Sequence, residues 1–174
     1  AKFVGANDNA SGVAFLLGLA EQIQSRGPYN VPVIFIACGG EEAGLHGSQH
    51  YALKDPLYPL EMSSVCLNFD LLGYGSDGVM VVGGKKWKAK YKQLVNIAEQ
   101  QGGYFAFKAR PNAPNSDHYP FTLQGVPGLF FYAMGGKPWY HDVYDRPDQL
   151  TLHVYWHLQQ VILSYIAGHA QSYD

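Results

Sequence analysis

The stretch Val33-Ile34-Phe35-Ile36-Ala37-Cys38-Gly39-Gly40-Glu41-Glu42 runs from apolar residues through two glycines into two adjacent acids. Its β-branched and aromatic residues favour a buried strand over Val31–Cys38, covered on both faces. Two carboxylates just past the end of such a strand are costly unless they have partners. Open α/β sheets bind ligands at the carboxyl ends of their strands. The pattern predicts a functional site at Glu41 and Glu42, although an isolated acidic pair is more often a solvated turn.

Segments of helical and strand character alternate along the rest of the chain. The predicted helices are 12–24, 48–53, 87–101, 117–124 and 150–169, and the other predicted strands are 65–69, 79–82, 104–109 and 128–132. This alternation indicates an α/β fold, a three-layer sandwich around a mostly parallel mixed sheet. No internal repeat or linker-like tract divides the chain, so we expect residues 1–174 to form a single domain.

The composition narrows the class of function. The chain has 174 residues, 47% of them hydrophobic and 15% charged, with a net charge of −2. Because no basic stripe is visible, a nucleic acid is not an expected partner. No apolar run is long enough to span a membrane. Cys38 and Cys66 each lie in an apolar run and are expected to be buried thiols, and the oligomeric state is not predicted.

Acids and a histidine follow the predicted strands. Asp8 precedes the first helix, Glu42 and Asp70 each follow a strand, and His141 lies beyond the strand 128–132. Four separate segments thus bring carboxylates and an imidazole to one edge of the sheet. Zinc accepts both kinds of ligand, and zinc ions activate water as a nucleophile at neutral pH. The set predicts a zinc site, while strand-end acids that serve as caps or bind sugars remain the alternative at this point.

Five ordered blocks of this sequence resemble the co-catalytic zinc aminopeptidases. That family includes secreted bacterial leucine aminopeptidases and, more distantly, glutamate carboxypeptidase and glutaminyl cyclase. The resemblance extends over nearly the whole chain. The blocks are Gly5-Ala6-Asn7-Asp8-Asn9-Ala10-Ser11-Gly12, Gly40-Glu41-Glu42-Ala43-Gly44-Leu45-His46-Gly47-Ser48, Asn68-Phe69-Asp70, Ser116-Asp117-His118-Tyr119-Pro120-Phe121 and Tyr140-His141-Asp142-Val143-Tyr144-Asp145.

The resemblance implies a zinc-dependent exopeptidase that hydrolyses N-terminal residues of peptides through a metal-bound hydroxide. Asp8 would bridge two zinc ions, Glu42 and His141 would complete the ligands of one, and Asp70 would bind the other. Glu41 would be the catalytic general base, taking a proton from the water and passing it to the leaving amine. The implied substrate is a peptide with a free N-terminus, and the implied location is extracytoplasmic, either periplasmic or secreted.

One part of the family pattern is missing from this chain. The second zinc of the family also takes a histidine from an upstream His-x-Asp motif, and no histidine precedes Asp8 here. We therefore expect an N-terminally truncated member that lacks at least one strand, binds one zinc ion or none, and has little activity by itself. The set Asp8, Glu42 and His141 also resembles the single-zinc site of glutaminyl cyclases. A catalytically silent binding domain on this fold is the third alternative.

Further side chains are expected around the metal ligands. Asp117 and His118 would support the site or fix a loop, while Ser116 could simply cap a short helix. Trp139 and Tyr140 adjoin the predicted ligand His141, so they would line an apolar pocket for the substrate or belong to the core.

Three other polar residues complete the sequence-based expectations. Asp145, four residues after His141, would cap the final loop or accept the free ring proton of that histidine. His153 and His157 stand four apart on the predicted last helix, a spacing that metal sites use, but a structural role is expected for both.

Overall fold

The protein, described by a computed structural model over residues 3–171, contains five α-helices and four strands within that range, besides three short 3₁₀ or π turns. The helices are α1 (Ser11–Arg26), α2 (His46–Leu53), α3 (Lys88–Gln100), α4 (Tyr119–Leu123) and α5 (Tyr155–Gln171). The strands are β1 (Cys66–Phe69), β2 (Val79–Val82), β3 (Phe107–Arg110) and β4 (Gly128–Ala133). Within these residues, no helix has both the length and the apolar character needed to cross a lipid bilayer.

The four strands form one mixed sheet in the order β1-β4-β2-β3. β1 pairs with β4 in parallel, β2 pairs with β3 in parallel, and β2 pairs with β4 antiparallel. The predicted α/β fold with a mostly parallel mixed sheet is confirmed. Because β1 and β4 run in the same direction, their carboxyl ends bring Asp70 and the loop after β4 to the same edge.

Helices cover both faces of this sheet, as a three-layer sandwich requires. α1, α3 and α5 pack together on one face, over a core that includes Phe15, Phe69 and Phe131. α2 and α4 pack together on the other, around a smaller core of Ala52, Leu60, Phe121 and Val126. The neighbours Cys66 and Leu67 of β1 contact different cores because consecutive strand residues point to opposite faces.

The predicted strand Val31–Cys38 is wrong, since none of these residues is in a strand. Their backbone groups make no hydrogen bond to any other residue within the described range. A cavity of about 420 Å³ lies between this segment and β1, with Ile34 and Ile36 on one side and Cys66 and Asn68 on the other. Paired strands lie only about 4.8 Å apart. The segment has the apolar composition of a strand, but no part of the chain that the structure describes lies close enough to pair with it.

The last helix begins later than predicted, at Tyr155 instead of residue 150. The amides of Thr151 and Leu152 both donate to the carbonyl of Gly73, and Leu152 has a φ of 50°. The amides of Thr151 and Leu152 are thus bonded to the loop after β1 and do not belong to a helix. His153 consequently precedes the helix, so it does not share a helical face with His157.

Candidate metal centre

Three of the predicted metal ligands meet at one point. His141 Nε2 lies 2.7 Å from Glu42 Oε1 and 3.1 Å from Asp8 Oδ2. Within the described residues, these three form the one group whose ligand atoms are close enough to share a metal ion. They come from three separate segments: the turn before α1, the turn before α2 and the loop after β4.

Glycines shape the turn that carries Glu41 and Glu42. Gly40 has a φ of 68°, and the carbonyls of Gly39 and Gly40 accept hydrogen bonds from the first residues of α2. A β-carbon at Gly47 would lie 2.6 Å from the backbone of Gly39, so only glycine allows this close approach. The turn leaves Glu41 partly buried and Glu42 exposed, so the two acids have different surroundings.

The segment around Asp8 is attached to the loop after β1 by its polar neighbours. These side chains make hydrogen bonds of 2.8 to 3.2 Å to backbone groups at or just after the end of β1. Sequence reasoning missed this function, although the dense run of Asn and Ser around Asp8 is its signal. The bonds join Asn7 to Gly73, Asn9 to Phe69 and Ser11 to Leu72.

Within the described residues, the Asp145 carboxylate makes no hydrogen bond to the ring of His141, so the alternative in which it accepts the ring proton is not supported. This carboxylate is buried and accepts hydrogen bonds from the backbone amides of Asn7 and Asp8, at 2.7 and 2.9 Å. The carboxylate is therefore committed to the segment that carries Asp8.

Asp70 lies outside the three-residue group but has one oxygen without a partner. Its side chain is 9% exposed, and Oδ2 accepts a hydrogen bond of 3.1 Å from Ser116, which in turn accepts one from Asn68. Oδ1 is buried without a hydrogen-bond partner among the described residues. Because α4 begins only at Tyr119, the Ser116 hydroxyl serves Asp70 and does not cap that helix.

Burial and crowding of like charges raise the pKa values of the acids. Burial, followed by the charges of Asp70 and Asp117, raises the pKa of Glu41 to about 7. Burial, followed by the charge of Asp8, raises the pKa of Asp70 to about 6. The pKa of Asp8 is raised as well, first by burial and then by Glu42. A site in which acids repel one another favours a cation.

We expect the metal-free protein to lose stability as the pH rises from about 4 to about 7. The folded carboxyls of Glu41 and Asp70 have pKa values of about 7 and about 6, above their ordinary values of 4.5 and 3.8. Between these limits the two folded carboxyls bind more protons than they do in the unfolded chain, whereas buried His118, with a pKa of about 4, binds fewer. The two carboxyls together outweigh the one histidine, so the free energy of unfolding falls with increasing pH. Thermal unfolding of the chelator-treated protein across this range measures the effect. A melting temperature that rises with pH would contradict it.

Asp117 contacts α2, and His118 contacts β4. Asp117 accepts a hydrogen bond of 2.5 Å from the buried hydroxyl of Ser48 at the start of α2. His118 is fully buried against the ring of Phe130, and burial lowers its pKa to about 4, which makes it neutral at pH 7. Their placement is compatible with support of the turn before α2 and of β4, respectively.

The two aromatic residues before His141 differ in placement. The ring of Trp139 packs on Tyr144, with 5.2 Å between the ring centres. Tyr140 is 62% exposed, and its ring stacks on that of His141 with the centres 3.8 Å apart. Burial and then the charges of Asp8 and Glu42 raise the pKa of Tyr140.

The chain resembles known aminopeptidases in sequence and structure. It is 29% identical over 165 residues to Aminopeptidase YwaD of Bacillus subtilis (strain 168), which covers 84% of this chain and 34% of that relative. The solved structure of BSAP, a zinc aminopeptidase from Bacillus subtilis, superposes with a TM-score of 0.79 and 27% identity, covering 95% of this chain and 42% of that one.

A glutaminyl cyclase shares the fold. The Bacteroides thetaiotaomicron enzyme bound to N-acetylhistamine superposes with a TM-score of 0.74 at 20% identity, covering 95% of this chain and 63% of that one. The chain spans about a third of the length of the curated relatives that it matches. The model of Peptidase family M28 matches residues 1–166. The chain therefore belongs to peptidase family M28, which confirms the family predicted from its motifs.

Proposed function

We propose that the protein is a zinc-dependent aminopeptidase that removes N-terminal residues from peptides, in an extracytoplasmic compartment as the family resemblance implies. The observation that carries this proposal is the convergence of Asp8, Glu42 and His141 beside the partly buried Glu41. Peptide hydrolysis is the chemistry of the family to which the chain belongs.

The donor atoms suit zinc. Two carboxylate oxygens and an imidazole nitrogen are ordinary zinc ligands, and a set of three leaves a position open for water or substrate. The unpartnered, buried Oδ1 of Asp70 is a costly arrangement that a cation would relieve. Asp8, Glu42 and His141 would hold one zinc ion, and Asp70 would contribute to a second. Bound zinc would supply positive charge that polarises the substrate carbonyl and lowers the pKa of water.

Glu41 would move the proton. In the metal-free protein, burial and then the charges of the neighbouring acids raise the pKa of Glu41 to about 7, so this carboxyl binds a proton more readily than an ordinary glutamate does. Glu41 takes a proton from the attacking water and then donates it to the amine of the departing peptide. The surrounding carboxylates attract the positively charged N-terminus of a peptide. Glu42 and His141 are 61% and 49% exposed, so a peptide end has access to them.

The proposal predicts zinc-dependent release of the N-terminal residue by the full-length protein. Hydrolysis of aminoacyl chromogenic substrates should stop after treatment with a chelator, return when zinc is added, and fail on N-acetylated versions of the same substrates. Conversion of N-terminal glutamine to pyroglutamate, without hydrolysis, would contradict the proposal and identify the protein as a glutaminyl cyclase. Zinc binding with neither reaction would identify a silent binding domain.

A further inference from the structure

One buried carboxylate connects the two segments that carry Asp8 and His141. Asp145 is 3% exposed, and its Oδ1 and Oδ2 accept hydrogen bonds from the successive amides of Asn7 and Asp8. Its backbone carbonyl also accepts a bond of 3.3 Å from the amide of Ala6. Three consecutive amides of the Asp8 segment thus donate to a single residue.

Asp145 belongs to the same loop as His141. The amide of Asp145 donates to the carbonyl of Asp142 at 3.1 Å. This bond closes a tight turn over residues 142–145, directly after His141. The carboxylate therefore fixes the His141 loop against the Asp8 segment, close to where the two side chains lie 3.1 Å apart.

The chemistry of this contact calls for a carboxylate. Two parallel amide donors need two acceptors, and a carboxylate provides both with a negative charge that strengthens the bonds. An asparagine would offer one oxygen, and its amide group would face the second backbone amide donor to donor. Loss of one buried bond partner costs more than the bond itself contributes.

We propose that Asp145 is a positioning residue that sets the separation between Asp8 and His141 for the metal ion. This inference rests on the metal centre proposed above. Asn7 and Ser11 attach the Asp8 segment to the loop after β1 independently of Asp145, so the fold should survive its replacement. We expect the replacement to change the positions of the Asp8 and His141 ligand atoms around the metal ion.

The test compares Asp145→Asn with Asp142→Asn in the full-length protein. Asp142 accepts one hydrogen bond at Oδ1, from the amide of Tyr144, and asparagine preserves that acceptor. We expect Asp145→Asn to weaken zinc binding by about 10- to 100-fold in competition with a chelator, as loss of a partner behind metal ligands does. Asp142→Asn should bind zinc like the unmodified protein. Excess zinc should restore much of the turnover of Asp145→Asn.

A spectrum separates positioning from general stability. Cobalt(II) substituted for zinc should show altered visible absorption bands in Asp145→Asn, measured well below the melting temperature of the metal-free variant. Unchanged zinc affinity and an unchanged cobalt spectrum would overturn the inference. If Asp145→Asn does not fold, Asp145→Glu keeps the charge but moves the carboxylate by one methylene, and wild-type affinity in that variant would likewise overturn it. Absence of zinc binding in the unmodified protein would instead refute the proposed metal centre.

Discussion

Replacement of Glu41 by glutamine is expected to abolish turnover and leave zinc in place. The two side chains have nearly the same shape, but glutamine cannot accept and return a proton. Transfer of a proton by a well-placed side chain contributes about 10²- to 10⁴-fold to rate, so the turnover number should fall by that factor. Glu41 lies outside the ligand group of Asp8, Glu42 and His141, so the metal content should not change.

Zinc content and steady-state turnover of Glu41→Gln, measured on the same sample, distinguish these effects. Glu99→Gln provides the matched control, because Glu99 is an exposed residue of α3. Near-normal turnover of Glu41→Gln would remove Glu41 from proton transfer. Loss of zinc together with turnover would make Glu41 a ligand instead.

Replacement of His141 by alanine should remove the tight zinc site. His141 supplies the imidazole of the three-residue group, and its ring nitrogen contacts both carboxylates. Loss of a residue behind a ligand costs about 10- to 100-fold in metal affinity, so loss of the ligand itself should exceed that range. The side chain is 49% exposed, so its removal should leave no cavity in the core.

Chelator competition measures the zinc affinity of His141→Ala, with His153→Ala as the matched control. His153 is an exposed histidine that precedes α5 and lies outside the ligand group. Zinc affinity of His141→Ala equal to that of the His153→Ala control would exclude His141 from metal ligation.

Local sequence patterns predicted most of the helices and strands correctly, but they do not indicate which strands pair with each other. The apolar residues at Val79–Val82 predicted β2 to the residue, and β2 has a neighbour on each side. The run Val31–Cys38 has an equally strong pattern but faces a cavity, so it forms no strand. Strand pairing depends on a second segment of chain, and composition carries no information about where that segment lies.

The rule that strand ends share one edge of a sheet explains only part of the convergence at the site. It holds for His141, which follows β4, but Glu42 follows a segment that forms no strand and Asp8 precedes α1. The grouping of the three residues is what the resemblance of the sequence blocks implies. The supporting bonds could not be anticipated in the same way. The bond from the amide of Asn7 to Asp145 joins residues 138 positions apart, and a side chain that accepts from backbone amides leaves no periodic pattern.

The segment Val31–Cys38, which pairs with no other described residue, affects how the turn that bears Glu41 and Glu42 is held. Its amides have no acceptors among the described residues, so their hydrogens should exchange with solvent far faster than those of β4. Beyond it, the carbonyls of Gly39, Gly40 and Glu41 accept bonds from residues 44–47, at the start of α2. Counting only bonds between described residues, the backbone of the turn bearing Glu41 and Glu42 is thus anchored on its downstream side alone. A cation that joins Glu42 to Asp8 and His141 would give this turn a second anchor, and its motion would then report on metal occupancy.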